Sequence, residues 1–291
     1  NLGRYDDAVE ELKRAIELWG DLVTVNPGEL GRVQYLALAR SRLSDVYQVQ
    51  GKYLEAVHML ELATQSLEEV LEGQPENAGT LRVLSNIYQN MADVRLNLDD
   101  QAMALAALRR MDELLTVALE LNPDHKGFQL DRGNNLRRLG YLQQESNPAE
   151  AVGLQESSLK IFKSLHESQP DSADAAQNVG LAWLFLARAE SQVPMRDDAI
   201  DHVGRGWDVI VLHCSLNAQD AKARAHVRMY LQELGDILLQ LEAEDRLPSH
   251  CRSAVLVLQP VVEANPDNLA LAEMVDHVLA TMRSASGGDQ P

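Results

Sequence analysis

Cysteine, positive charge and long apolar runs are all scarce in this sequence. Two Cys cannot make a disulfide scaffold. No apolar run approaches the roughly 18 to 20 residues needed to cross a bilayer, so direct membrane insertion is not expected. Lys and Arg total 26 against 44 Asp and Glu, a net charge of −18. That balance opposes binding to nucleic acid or anionic lipid, which begins with counterion release by a basic surface. Strand signals are almost absent. Position 1 is Asn, with no basic-then-apolar leader after it, and we expect a piece of a longer chain or a processed product.

What is present is enough apolar residue, 45% of 291, to bury a substantial core. The dominant signal is a repeat of about 48 residues. Helix-stopping corners fall at Asn26-Pro27, Gln74-Pro75, Asn122-Pro123, Gln169-Pro170, Leu216-Asn217 and Asn265-Pro266. A second marker, a Leu-small pair in mid-repeat, recurs at Leu43-Ser44, Met91-Ala92, Leu139-Gly140, Leu186-Ala187 and Leu234-Gly235. Both markers step by 48 residues apart from one shared step of 47, so chance agreement is excluded as their source.

Between corners the apolar residues keep helical spacing, as in Val46, Val49, Tyr53, Val57, Leu60, Ala63, Leu67 and Leu71. Each unit therefore reads as a helical hairpin, with its midpoint turn at Gly51-Lys52, Leu98-Asp99, Ser146-Asn147 or Arg196-Asp197. Asp6, Asp99, Asn147 and Asp197 are the expected caps of the second helices.

These residues resemble the tetratricopeptide repeat (TPR) family. Gly3-x-Tyr5-x-x-Ala8 and Gly51-x-Tyr53-x-x-Ala56 match its central turn. Ala104, Ala151 and Ala199 keep the small residue where two helices press closest, and Trp183-x-x-Leu186-Ala187 matches its first helix. The family unit is about 34 residues. Here each helix gains about two turns, roughly 10 Å, so the hairpin lengthens without losing register. The resemblance implies an all-α, right-handed superhelical solenoid of antiparallel helix pairs. Units of this long period look like those in arrays attached to bacterial serine/threonine kinases. The expected layout is one array over 1–284: a half unit at 1–25, five units over about 28–264, and a capping helix at 268–284. A disordered tail is expected at 285–291. The fifth unit departs most, with a longer turn from Glu244 to Pro248.

Signatures of chemistry are missing. There is no phosphate-binding loop, no His-Glu-x-x-His and no Gly-x-Ser-x-Gly, and Gly204-Arg205-Gly206 lies inside an expected helix. No catalytic residue, metal or cofactor is expected. His213-Cys214 closes one helix and His250-Cys251 opens another, roughly 35 Å away, too far for a shared zinc or a disulfide. One buried and one peripheral thiol, with solvated histidines, is the expectation. Acidic pairs such as Asp99-Asp100 and Asp197-Asp198 point about 100° apart on a helix and form no catalytic dyad. Trp19, Trp183 and Trp207 read as core.

The resemblance also places a concave groove on the first helix of each pair, around the Leu-small marker. Its positions here are Asp45, Gln48, Gln89, Asp93, Arg137, Tyr141, Gln144, Arg188 and Asp236. Arg137, Tyr141 and Arg188 suit a carboxylate or an acidic peptide, or they simply solvate the groove and pair with neighbouring acids. Three readings stand: a non-enzymatic protein or peptide interaction region of a larger regulatory protein, an enzyme or small-ligand receptor using the groove, and a structural array that homodimerises. The sequence does not name the compartment: the cytoplasm, or the periplasm if a membrane span lies upstream of Asn1, are the two expectations.

Overall fold

The computed structural model of the chain describes residues 2–286. It is all-α, with no strand among the described residues. The helices are α1 (Leu2–Val25), α2 (Leu30–Val49), α3 (Tyr53–Gly73), α4 (Ala78–Asn97), α5 (Gln101–Leu121) and α6 (Lys126–Gln143). They continue with α7 (Pro148–Glu167), α8 (Ala173–Glu190), α9 (Arg196–Leu216), α10 (Ala221–Gln240), α11 (Leu247–Ala264) and α12 (Leu269–Ala285). Two compact units form, residues 1–135 and 136–291, and the division falls inside α6. Within each unit most helices adjacent in sequence pack as neighbours; the exception is α11, which packs on α9 and α12 rather than on α10.

Each corner ends a helix where the sequence demands it. Gln74 and Asn122, which precede prolines, have φ near −140° and ψ near 80°, well outside the helical region. The next helix then starts on a side-chain cap: Asn77 Oδ1 accepts from Thr80 N at 2.9 Å, and Ser172 Oγ accepts from Ala175 N at 3.2 Å. The apolar stripe of α3, from Ala56 through Val57, Leu60, Ala63, Thr64 and Leu67 to Leu71, is buried along its whole length.

Several expectations are corrected. Asn147 caps α7, but Asp99 takes a left-handed φ of 57° and leaves the cap of α5 to Asp100. Asp6 lies inside α1. Arg196 and Asp197 belong to the first turn of α9, so the fourth midpoint turn falls earlier, ahead of Met195. In the fifth unit Leu247 and Pro248 begin α11, because a proline suits a first helical turn. Helix α12 extends through Ala285, and 287–291 lie outside the described residues.

Unit two is built on a continuous core in which Trp207, Tyr230, Leu234 and Leu258 are fully buried. Two glycines set how closely its helices approach. A Cβ on Gly206 would clash with the Tyr230 hydroxyl and come within 3.0 Å of the Gly180 carbonyl oxygen. One on Gly180 would meet Ile210 at 2.6 Å. Gly204-Arg205-Gly206 is thus a packing feature: Gly206 is at the contact between α8, α9 and α10. Trp207 Nε1 donates to the His250 carbonyl at 2.9 Å and ties α9 to α11.

Gly206→Ala should cost about 1–3 kcal/mol by overpacking. Gly153→Ala, on α7 with open space around it, should be neutral or stabilising by up to about 1 kcal/mol. Thermal melts of both variants check the pair; equal shifts would refute the close-packing role.

Candidate functional site

In unit one the first helices α2 and α4 lie side by side and are joined by polar contacts one repeat apart. Asn90 Nδ2 donates to Ser41 Oγ at 3.1 Å and to Asp45 Oδ1 at 3.3 Å, while Gln34 Nε2 donates to Thr80 Oγ1 at 3.1 Å. Burial pushes the Asp45 carboxyl up, opposed by a bond from Arg42. Asp45 therefore serves as a link between helices as much as a surface acid. Beside it Gln48 and Asp93 are half-buried and Gln89 is exposed.

In unit two Arg137 and Tyr141 come together through a residue the sequence reading passed over, Phe185. The Arg137 guanidinium carbon lies 5.5 Å from the ring centres of both Phe162 and Phe185. Burial lowers its pKa. Tyr141, 45% exposed, meets Phe185 edge-on at 5.8 Å. Arg188 Nη2 pairs with Glu233 on α10 at 2.6 Å. Gln144 is half-buried and Asp236 is exposed. Both arginines therefore work inside the fold, Arg137 by stacking and Arg188 by pairing. The one-residue offset of Phe185 from the Leu186-Ala187 marker was the available signal for its place.

A stronger polar cluster lies among α3, α4 and α5. Arg110 donates to both oxygens of Glu68, at 2.9 and 2.6 Å, and the Tyr88 hydroxyl donates to Glu68 at 2.8 Å. Burial would raise the Glu68 pKa, but the bonds from Arg110 and Tyr88 outweigh it and hold the carboxyl below its ordinary value.

Both thiols are buried and free, which corrects the expectation of a peripheral one, and burial pushes each up to about 11. His213 is also buried rather than solvated, because it faces the core at the end of α9. Among the described residues no group of three or more His, Cys, Asp or Glu could hold a metal ion, and no helix is long and apolar enough to cross a membrane.

The sequence matches no family model and no curated protein. Solved structures do match. BtubC from P. vanneervenii is 17% identical, with 99% of this chain and 94% of that chain covered and a TM-score of 0.55. The fold is TPR-like. The yeast histone chaperone Hif1, described as a scaffold protein, is 13% identical over 71% of this chain and 96% of its own, with a TM-score of 0.47. YrrB, described as a TPR protein with an unusual peptide-binding site, is 22% identical over 67% and 80%, with a TM-score of 0.30. At such identities the likeness concerns the fold alone. In this TPR-like chain the paired first helices are the faces on which the sequence-derived groove residues fall.

Because its folded pKa is lowered, Glu68 adds stability above its unfolded pKa of about 4.5, and that stability is lost as pH falls through the lowered value. Glu68→Gln should thus be less stable than wild type at pH 7, by about 1 kcal/mol, and the difference should shrink progressively as pH falls below about 4.5 through the lowered value. Melting temperatures of both proteins from pH 7 to pH 3 test this, and parallel curves would sink it.

Proposed function

We propose that this chain is a non-enzymatic interaction region that recognises a protein or peptide on its first-helix faces. The observation that supports it is side-chain exposure on the first helices: in unit two Tyr141 on α6 and Asp236 on α10 each stand two residues after the mid-repeat Leu, with the apolar Leu239 of α10 at 60% exposed, and in unit one Gln89 on α4 is exposed two residues before its mid-repeat Met91. Inward neighbours are tied to one another, as Asn90 is to Asp45 and Arg188 to Glu233. A partner then meets a pre-organised surface and orders little on binding. Asp45, Gln48 and Asp93 in unit one and Gln144, Arg137 and Arg188 in unit two belong to the same proposed first-helix faces.

The finer reading is that the array is the docking or sensory region of a bacterial serine/threonine kinase. It is supported by the 48-residue period alone, and phosphoryl transfer by the product of the full coding frame tests it separately.

Affinity capture with the wild-type chain and with a Gln89→Arg, Tyr141→Ala, Asp236→Arg variant tests the surface. These exposed changes should each shift stability by no more than about 0.5 kcal/mol and should remove a partner that the wild type retains. Recovery of the same partners in equal yield by a folded variant would overturn the assignment.

A further inference from the structure

The Glu68, Tyr88 and Arg110 cluster has a counterpart two repeats later with one charge reversed. Lys163, Trp183 and Arg205 each lie 95 residues further on, at the same positions of α7, α8 and α9. The arrangement is kept: Lys163 Nζ is 4.2 Å from the centre of the Trp183 indole, and the Arg205 guanidinium carbon is 5.5 Å from it. What is lost is the carboxylate. In unit one Glu68 receives donors from Arg110 and Tyr88; in unit two an ammonium takes its register position, so two cations converge on one indole. Cation–π attraction holds each cation there without neutralising it, and of the two only Arg205 has an ion-pair partner, Asp201.

An open groove of about 540 Å³ lies over Lys163 and Trp183. Leu159, Trp183 and Leu186 give it an apolar floor, and Lys160, Lys163 and His202 line it as well. The wall is braced: Glu190, 1% exposed, accepts from His202 Nδ1 through both oxygens at 2.8 and 3.0 Å, and the imidazole lies 4.7 Å from the Trp183 ring centre. Nearby acids leave the lysines unneutralised. Asp201 is engaged with Arg205 at 2.7 Å and Glu190 with His202; Glu156 and Glu167 border the groove, yet among the described residues Lys160 and Lys163 enter no ion pair. Only six lysines occur in this chain of net charge −18, and two of them stand here three residues apart on one helix face.

We propose that the groove floored by Trp183 binds an acidic polypeptide segment, one of whose carboxylates pairs with Lys163, which stands at the register position of Glu68 in unit one. An apolar residue beside that carboxylate covers Leu159 and Leu186. The site is separate from the first-helix surface and does not rest on that reading. The internal copy supplies the argument for its occupant: the same frame, given a glutamate, closes on it with an arginine and an aromatic hydroxyl.

The test is fluorescence anisotropy of the full chain with a labelled hexapeptide of alternating glutamate and leucine, at low ionic strength, beside the same peptide with glutamine for glutamate. The acidic peptide should saturate below about 1 mM. The glutamine peptide should bind at least about tenfold more weakly. Lys163→Glu, which restores the unit-one arrangement, should lower affinity for the acidic peptide about tenfold or more, with no loss in melting temperature. Lys163→Gln, which leaves an exposed neutral side chain, should give a smaller loss and serves if the charge reversal disturbs folding. Equal affinity of wild type and both variants, equal binding of the two peptides, or no saturation would overturn the proposal. Free glutamate competing as well as the peptide, mole for mole, would overturn the polypeptide occupant in favour of a small carboxylate.

Discussion

Ala56, Ala104, Ala151 and Ala199 are each fully buried in the first turn of a second helix, where the two helices of a hairpin come nearest. A larger side chain there would push the helices apart, and interiors packed at crystal density have no slack to absorb it. The small member of each Leu-small pair faces the same zone: a Cβ on Gly140 would lie 3.2 Å from the Ala151 carbonyl oxygen. Hairpin geometry therefore depends on this contact, and the repeat register depends on the hairpin. The last hairpin shows what happens without it. Leu247 stands where the alanine would be, and α11 packs on α9 and α12 with only marginal contact to α10.

Once the hairpins are set, residues about one repeat apart meet. Asn90 reaches Ser41 and Asp45, Arg188 reaches Glu233, and Arg196 reaches the carbonyls of Leu241 and Glu242, at separations of 45 to 49 residues. Such bonds between half-buried groups contribute little each. Their larger effect is to hold neighbouring helices in one relative position, which is what a recognition surface requires.

The repeats also act as controls on one another. Glu68 and Lys163 occupy one register position with opposite charge, while Tyr88 and Trp183, and Arg110 and Arg205, keep the aromatic and the cation. Where the carboxylate is present it is satisfied within the fold; where it is replaced, positive charge gathers around a buried indole in an acidic chain. Backbone architecture alone does not distinguish the two places, and only their side chains do.

The helices and their corners were legible in the sequence, because prolines and 3.6-residue periodicity act over a few residues and need no tertiary partner. The small-residue contacts were legible too, through repetition at 48 residues. Expectations failed where a distant partner decides. His213 and the thiol expected at the periphery are buried by neighbouring helices, and Arg137 is claimed by Phe162 and Phe185, while Arg188 follows the reading in which groove arginines pair with neighbouring acids, here Glu233. The groove positions were placed by register alone, and how exposed each of them is depends on packing. Sequence by itself determined the period and the hairpin, both set by local backbone physics; tertiary structure decided which charges are spent inside the fold, because pairing and burial depend on what lies across the gap between helices.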